Sequence, residues 1–348
     1  MTSANRGEWS ELYALGYLLV NGGGFAANEF AKLDESIFYK VLEVVDNPSG
    51  GSETIYRLDG SEVTVLQNGI GVIQISKNQI EPKLSEFFED LKKESKQAAF
   101  GLQSGEVLLD LLLKDKLSAS SALTNDIHLV LEDHETRIPT PRLGFSIKSE
   151  IGSPATIFNA SQSTNLTYCI VGEGKPTSIR ADSGVKTCLK SLTQDGFTLE
   201  FLEYDSQTLH NSLQNIDSKL PEFLAELLLA YYRSTKAKLS LICEATWPDS
   251  NPSAALKVSK IKKFLSATAM GLRADTEWSG YPEDFGGLLL VKKSGDVLFY
   301  YLYNLRKFED YLFGTLRFET PGRTKHKFGQ IYFVDGEPRI KLNLQIRY

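Results

Sequence analysis

The first residues of the chain alternate between apolar and polar side chains with a helical period. Residues 7–20 place Trp9, Leu12 and Tyr13 about one turn apart, with acidic residues in the first turns. This pattern predicts an opening helix.

The segments that follow combine an amphipathic stretch, a hairpin and a long helical region. Residues 34–45 are amphipathic, and residues 54–66 form two strand-like runs around Asp59-Gly60, a pair typical of a hairpin turn. Residues 81–114 have mostly helical periodicity, with a proline near the start.

In the middle of the chain the period changes from helical to strand-like. Residues 126–133 and 142–150 have the composition of strands and are joined by a proline-containing loop, so we expect an antiparallel hairpin. Helices are predicted at 221–233 and 254–271, and further strands at 165–171, 197–203, 286–293, 296–303, 329–334 and 339–346.

Composition places the chain among ordinary globular proteins. Of its 348 residues, 42% are hydrophobic and 24% are charged, which is enough to build a sizeable core. The succession of elements predicts a mixed α/β fold with no internal repeat. We expect a single body over 1–348, with an N-terminal helical and hairpin region (1–115), a region of core strands (116–205) and a helical C-terminal region (206–348).

The charge balance argues against a protein that coats nucleic acid through bulk positive charge. The net charge is −6 and the pI is about 5.5. Residues 317–347 are an exception, with seven Lys and Arg against three Asp and Glu. Such a local excess is typical of a groove for phosphates, and a solvated C-terminal hairpin would give it equally well.

Cysteine usage and hydropathy bear on the compartment. The three cysteines are far apart and show no CxxC spacing, so neither a zinc site nor a disulfide framework is indicated. A reducing, intracellular setting fits this usage. No apolar run approaches the length of a membrane span, and the N-terminus has no apolar signal region, so no membrane partner is expected.

Four polar residues of the predicted hairpin carry the candidate chemistry. Asp126 opens the first strand, and Ser146, Lys148 and Glu150 alternate to one face of the second. Phosphodiester hydrolysis needs a metal held by oxygen ligands, an aligned water and positive charge near the phosphate. The alternative is a strand cap at Asp126 and a solvated face at Lys148 and Glu150.

Three segments of the chain resemble the HpaII-type restriction endonucleases. They are NRGEWSELYALGYLL near the N-terminus, RLGFSIKSEIGSPATIFNASQSTNLTYCI in the middle and FETPGRTKHKFGQIYFVDGEPRIKLNLQIRY at the end. The resemblance implies a PD-(D/E)XK nuclease core, a central mixed sheet flanked by helices with helical and hairpin additions. It also implies Mg²⁺-dependent cleavage of double-stranded DNA at a short palindrome, CCGG in the family's type enzyme.

On this resemblance, the Asp of the PD element falls on Asp126, preceded by Asn125 where the family pattern has proline. The lysine falls on Lys148, which would orient or help deprotonate the attacking water. The position of the usual acid, two residues before the lysine, is occupied by Ser146. This departure leaves the second metal carboxylate unassigned.

Two glutamates are candidates for the missing ligand. Glu150 comes first, because strand alternation places it on the face of Lys148. Glu11 comes second, because nucleases of this fold often place a metal-binding glutamate on an early helix. An acid that only stabilises the helix N-terminus is the alternative for Glu11.

Two further groups of residues are candidates for contacts with DNA. The segment after Lys148 is rich in short hydroxyl and amide side chains, and the loop 320–329 is basic. An ordinary Ser/Thr-rich turn and a flexible basic turn are the alternatives. The candidates are Ser149, Ser153, Thr156, Asn159, Ser161, Asn165, Arg323, Lys325, His326, Lys327 and Gln345.

The function expected from the resemblance is that of a type II restriction endonuclease in a restriction-modification system. It would act in the cytoplasm of a prokaryotic host, with a cognate DNA methyltransferase protecting the host genome. A homodimer on palindromic DNA is expected, and a monomer that nicks the two strands in sequence is the alternative. Two alternatives remain open: a sequence-nonspecific repair nuclease of the same fold, and a catalytically degenerate DNA-binding protein suggested by Ser146.

Overall fold

The structure is a computed structural model. It describes residues 2–46, 53–95, 98–114, 117, 125–133, 135–152, 156–174, 176, 184–280 and 284–348. Among these residues, no helix has both the length and the apolar character needed to cross a membrane.

The chain divides into two compact units, each built from two segments. Unit 1 comprises Met1–Ala155 and Pro282–Phe308, and unit 2 comprises Thr156–Tyr281 and Glu309–Tyr348. The division into three successive regions of a single body stays a prediction.

Ten α-helices occur in the described residues, three of them within the first segment of unit 1. In chain order they are α1 (Arg6–Asn21), α2 (Lys77–Lys93), α3 (Gln103–Leu111), α4 (Val185–Gln194), α5 (Gln207–Ile216), α6 (Leu220–Arg233), α7 (Leu239–Thr246), α8 (Ala254–Ala269), α9 (Leu305–Thr315) and α10 (Arg323–His326).

Sixteen strands occur in the described residues. They are β1 (Gly23–Ala27), β2 (Leu33–Asp46), β3 (Thr54–Asp59), β4 (Glu62–Gln67), β5 (Ile70–Ser76), β6 (Ile127–Glu132), β7 (Leu143–Ser149), β8 (Thr156–Phe158), β9 (Asn165–Val171), β10 (Thr198–Tyr204), β11 (Phe285–Val291), β12 (Val297–Tyr301), β13 (Arg317–Phe318), β14 (Ile331–Val334), β15 (Glu337–Asn343) and β16 (Ile346–Arg347).

A nine-stranded mixed sheet dominates unit 1. Its strand order is β1-β12-β11-β7-β6-β2-β3-β4-β5. The β1–β12 and β7–β11 pairs are parallel, and the other neighbouring pairs are antiparallel. Unit 2 contains a four-stranded sheet, β10-β9-β15-β14, and a three-stranded sheet, β13-β16-β8. The predicted mixed α/β class, a large central sheet flanked by helices, is confirmed.

Local sequence fixes both ends of α1. Asn5 caps its first turn, because the Asn5 side chain accepts from the Glu8 backbone N–H at 3.0 Å while the Glu8 carboxylate accepts from the Asn5 N–H at 2.6 Å. The helix ends at Gly22, whose φ of 70° suits a residue without a Cβ. These caps fix where α1 begins and ends.

The hydrophobic core of unit 1 lies between α1, α2, α3 and one face of the large sheet. Trp9 and Leu12 of α1 are buried there with Phe145 and Ile147 of β7. The Trp9 ring meets Phe87 of α2 edge-on, with ring centroids 5.7 Å apart. Alternation along β7 therefore turns Ser146 and Lys148 to the opposite face of the sheet.

The predicted elements agree with the observed ones except where the pattern was ambiguous. The opening helix, the hairpin around Asp59-Gly60 and the pairing of β6 with β7 are confirmed. The helical region 81–114 is two helices, and the first begins at Lys77, where Ser76 and Gln79 form a capping box. The amphipathic segment 34–45 is a strand, β2, which pairs with both β6 and β3.

Candidate active site

The register of β6 and β7 brings the sequence-predicted residues together. Ile127 pairs with Phe145 and Leu129 with Leu143. Asp126 directly precedes this ladder and bonds to Phe145 of β7, and Lys148 lies farther along the same strand. The hairpin therefore brings Asp126 against the strand that carries Ser146 and Lys148.

Two hydrogen bonds hold Asp126 against β7. Its backbone N–H donates to the Phe145 carbonyl at 3.0 Å, and its Oδ2 accepts from the Ile147 backbone N–H at 2.5 Å. A carboxylate fixed by the backbone of the neighbouring strand does not need to reorganise when a ligand or substrate arrives.

Glu11 lies close enough to Asp126 and Lys148 to feel both charges. Burial of its carboxyl, reinforced by the negative charge of Asp126, raises the pKa of Glu11 to about 8. The positive charges of Lys148 and then Lys114 act in the opposite direction. The helix α1 thus contributes a carboxyl group to the site formed by β6 and β7.

A contact between α1 and β7 sets the position of Glu11. The Ser10 and Ser149 hydroxyl oxygens are 2.9 Å apart, and Ser149 Oγ also accepts from the Ile151 backbone N–H at 3.0 Å. Ser149, a candidate for DNA contact, is therefore bonded within the protein. We infer that its structural role is to attach the end of β7 to α1.

A buried ion pair lies beside the site. Lys114 Nζ donates to Asp46 Oδ2 at 2.5 Å, and their side chains are only 8% and 11% exposed. Asp46 ends β2, one residue beyond Val45, which pairs with His128 of β6. Lys114 is consequently a second cation near the Glu11 carboxyl, and its own charge is balanced by Asp46.

Glu150 is engaged elsewhere. It follows the last residue of β7, its backbone N–H donates to the Val291 carbonyl, and its carboxylate pairs with Lys292 Nζ at 2.5 Å. The geometry therefore favours Glu11 over Glu150 as the partner of Asp126, which reverses the order suggested by strand alternation.

The donor set fits a divalent cation. No group of three or more His, Cys, Asp or Glu side chains in the described residues is arranged to hold a metal. Mg²⁺, however, is commonly bound by one or two carboxylates and keeps several water ligands. Glu11 and Asp126 supply two mutually repelling carboxylates, and a cation between them would remove that repulsion. Ser146, which is buried in β7, supplies no third carboxylate.

The hydroxyl- and amide-rich segment after Lys148 has mixed exposure. Asn159 is exposed. Thr156 accepts from Arg347 Nε at 2.8 Å, and the Ser161 carbonyl accepts from Asn343 Nδ2 at 2.7 Å. Asn165 is buried, and its amide donates to the His326 carbonyl at 3.0 Å. Ser153 lies outside the described residues.

The basic segment between β13 and β14 is partly helical. Lys325 and Lys327 are exposed and Arg323 is half-buried, so these three could approach phosphates. His326 is buried, and burial followed by the charge of Lys325 lowers its pKa. Gln345 is also buried. Exposure thus favours Arg323, Lys325 and Lys327 over His326 and Gln345 as DNA contacts.

Three residues beside the site were not predicted from the sequence. Ser10 precedes Glu11 on an otherwise apolar helix face, and a buried serine there could have suggested a polar contact. Asp46 and Lys114 carry no comparable pattern, because their pairing joins segments 68 residues apart.

Comparison with known proteins agrees with this geometry. The sequence profile of the family described as HpaII restriction endonuclease matches residues 5–348. The chain is 36% identical over 356 residues to the type II restriction enzyme HpaII of Haemophilus parainfluenzae, covering 99% of this chain and 98% of that protein. No solved structure matches the chain. The chain therefore belongs to the HpaII restriction endonuclease family, a family of site-specific DNA endonucleases.

Proposed function

We propose that the chain is a Mg²⁺-dependent type II restriction endonuclease that hydrolyses both strands of double-stranded DNA at CCGG or a related palindrome. The observation that carries the proposal is the grouping of Glu11, Asp126 and Lys148 at the β6–β7 hairpin. Two carboxylates and one lysine are the side chains that metal-assisted phosphodiester hydrolysis needs.

In this proposal Glu11 and Asp126 hold Mg²⁺. Type II restriction enzymes generally need a divalent metal. When bound, the ion would make a coordinated water more acidic and offset negative charge at the phosphate. Asp126 presents its carboxylate in a fixed orientation, because the Ile147 N–H holds one of its oxygens.

Lys148 has two tasks in the reaction. Its ammonium group is a triple hydrogen-bond donor, so it can orient the attacking water and also donate to an oxygen of the scissile phosphate. Leu290 of β11 lies in register with Lys148 and is buried. An apolar neighbour strengthens the interaction of the lysine with the phosphate, because fewer waters screen it.

The proposal extends to partners. A palindrome has two-fold symmetry, and a two-fold homodimer would place one such site on each strand. A cognate DNA methyltransferase would protect the host genome, and the enzyme would act in the cytoplasm of a prokaryotic cell. Arg323, Lys325 and Lys327 would contact phosphates, and Asn159 and Thr156 would lie near the DNA.

The experiment is to incubate the protein with long unmethylated DNA, with Mg²⁺ or with EDTA, and to sequence the fragment ends. Asp126→Ala and Lys148→Ala are compared with Lys40→Ala, which removes an exposed lysine paired with Glu132 in the same sheet. We expect Mg²⁺-dependent ends that share one palindrome for the wild type and Lys40→Ala, and intact DNA for the other two.

Other results would contradict the proposal in distinct ways. Mg²⁺-dependent ends at random sequences would indicate a nonspecific repair nuclease. Intact DNA under all conditions, with DNA still bound by a folded protein, would indicate a degenerate DNA-binding protein in which Ser146 marks the lost acid.

A further inference from the structure

A second polar cluster lies at the start of β6, next to Asp126 in the chain. His128 Nε2 and Asp284 Oδ2 are 3.0 Å apart, and Asn125 Nδ2 is 3.4 Å from the same oxygen. His128 is the second residue of β6, and Asn125 is the chain neighbour of Asp126. The cluster therefore adjoins the proposed nuclease centre.

The position of Asp284 is fixed through its backbone as well. Its carbonyl accepts from the Gly144 N–H at 2.5 Å, and Gly144 pairs with His128. A Cβ on Gly144 would lie 2.0 Å from Asn125 Nδ2. The absence of a side chain at 144 is thus what allows Asn125 to reach Asp284.

Among the described residues, the hydrogen bonds to Asp284 come from three donors. A carboxylate has no hydrogen to give, so the His128 ring N–H and the Asn125 amide donate to it, while the Gly144 N–H donates to the Asp284 backbone carbonyl. The Asp284 side chain is nevertheless 50% exposed, against 24% for His128. It is a preorganised acceptor at the protein surface.

Asn125 adds a second acceptor. The residue is 8% exposed, and its Oδ1 accepts no hydrogen bond from any residue that the structure describes. A buried amide oxygen is costly when it has no partner, so a hydrogen-bond donor close to Asp284 would be favourable at this point. The cluster therefore suits a ligand that supplies hydrogen-bond donors.

DNA offers few such donors to a carboxylate. Phosphate oxygens are acceptors and would repel Asp284. In the major groove the donors are the exocyclic amino groups, N4 of cytosine and N6 of adenine. The adenine amino group adjoins the N7 acceptor, whereas the N4 amino group is the single polar group that cytosine presents there, so a carboxylate matches cytosine better.

We propose that Asp284, held in place by His128 and Asn125, is a specificity-determining residue that accepts a hydrogen bond from the N4 amino group of a cytosine in the recognition sequence. The inference rests on the proposed function. A fixed carboxylate repels sequences that place an acceptor in the same position, so it discriminates by repulsion as well as by attraction.

The test uses a duplex that contains the mapped cleavage site. Each cytosine in turn is replaced by pyrimidin-2-one, which lacks only the N4 amino group, and kcat/KM is measured for the wild type and Asp284→Ala. At one cytosine we expect the kcat/KM of the wild type to fall by about tenfold or more. Asp284→Ala should already have a lower kcat/KM on the natural site. The analogue at that position should reduce the kcat/KM of this variant by less than about twofold more.

The matched control is Asp59→Ala, which removes an exposed aspartate from the β3–β4 turn of the same sheet. The analogue should reduce the kcat/KM of Asp59→Ala by the same factor as that of the wild type. If Asp284→Ala does not fold, His128→Ala serves instead, because it leaves the acid but removes the donor that orients it. The analogue should reduce the kcat/KM of His128→Ala by a smaller factor than that of the wild type.

Two results would overturn the inference. One is a wild-type enzyme that cleaves every analogue duplex as fast as the natural one, and the other is an undiminished loss in Asp284→Ala. A wild-type protein that cleaves no duplex at all would contradict the proposed function itself.

Discussion

The hydroxyl oxygens of Ser10 and Ser149 are 2.9 Å apart, and this contact joins α1 to the end of β7. Ser10 is the chain neighbour of Glu11, and Ser149 is the chain neighbour of Lys148. This hydrogen bond therefore links the two backbone segments that carry the Glu11 carboxyl and the Lys148 ammonium group of the proposed centre.

Removal of this contact should affect catalysis more than folding. Ser10→Ala and Ser149→Ala should each reduce the free energy of unfolding by about 1 kcal/mol, the usual worth of a neutral hydrogen bond. The single-turnover cleavage rate should fall by about tenfold, because misplacement of a catalytic group is costly. Unfolding in urea and single-turnover cleavage measure the two effects. An unchanged cleavage rate in both variants would show that the contact does not position Glu11.

The raised pKa of Glu11 predicts how the stability of the metal-free protein depends on pH. In the folded protein the carboxyl retains its proton up to a pKa of about 8, whereas its ordinary pKa is 4.5. The protonated group therefore favours the folded state below pH 4.5, and this contribution is lost as the pH rises from 4.5 to 8.

Urea unfolding in EDTA between pH 5 and 8.5 measures this effect. Relative to Glu11→Gln, the wild type should lose stability across that range, by on the order of a few kcal/mol. Glu150→Gln should retain the wild-type slope, because Glu150 is paired with Lys292. Parallel curves for the wild type and Glu11→Gln would show that Glu11 titrates normally.

The buried pair of Asp46 and Lys114 should be sensitive to the loss of either partner alone. Lys114→Met leaves a buried carboxylate without its cation and should cost about 3–5 kcal/mol of unfolding free energy. Asp46→Leu should cost a similar amount, and the double variant should recover most of the loss. If the loss of unfolding free energy in the double variant equalled the sum of the two single losses, the ion-pair account would be contradicted.

Gly144 should tolerate no side chain. In Gly144→Ala the new Cβ would meet Asn125 Nδ2 at 2.0 Å, so we expect a loss of about 1–3 kcal/mol. Asn125→Ala, added to Gly144→Ala, should restore part of the lost free energy of unfolding. Gly71→Ala in β5, where a Cβ meets nothing within 4 Å, is the control. Equal stability of the two glycine variants would show that Asn125 can move away at little cost.

Strand alternation predicted the β6–β7 hairpin, because a sheet with one buried face imposes a two-residue period on the sequence. Strand alternation alone did not show whether Glu150 or Glu11 is the second metal carboxylate. Glu150 lies just past the end of β7, where the period no longer fixes the side chain, and Lys292 of the next strand pairs with it.

The place of Glu11 depends on how α1 packs, which no local pattern encodes. Segment 34–45 shows the same limit, because an amphipathic run becomes a strand or a helix according to its neighbours, and β2 lies between β6 and β3. Asp284 was not predicted from the sequence, for a similar reason. Its partners His128 and Asn125 are more than 150 residues away in the chain.

The most direct test of the proposed centre is Mg²⁺ binding measured by isothermal titration calorimetry in the absence of DNA. Wild type, Glu11→Gln, Asp126→Asn and Glu150→Gln are compared at the same pH. We predict that Glu11→Gln and Asp126→Asn weaken binding strongly and that Glu150→Gln binds as the wild type does. Unchanged binding in Glu11→Gln together with loss in Glu150→Gln would contradict the assignment.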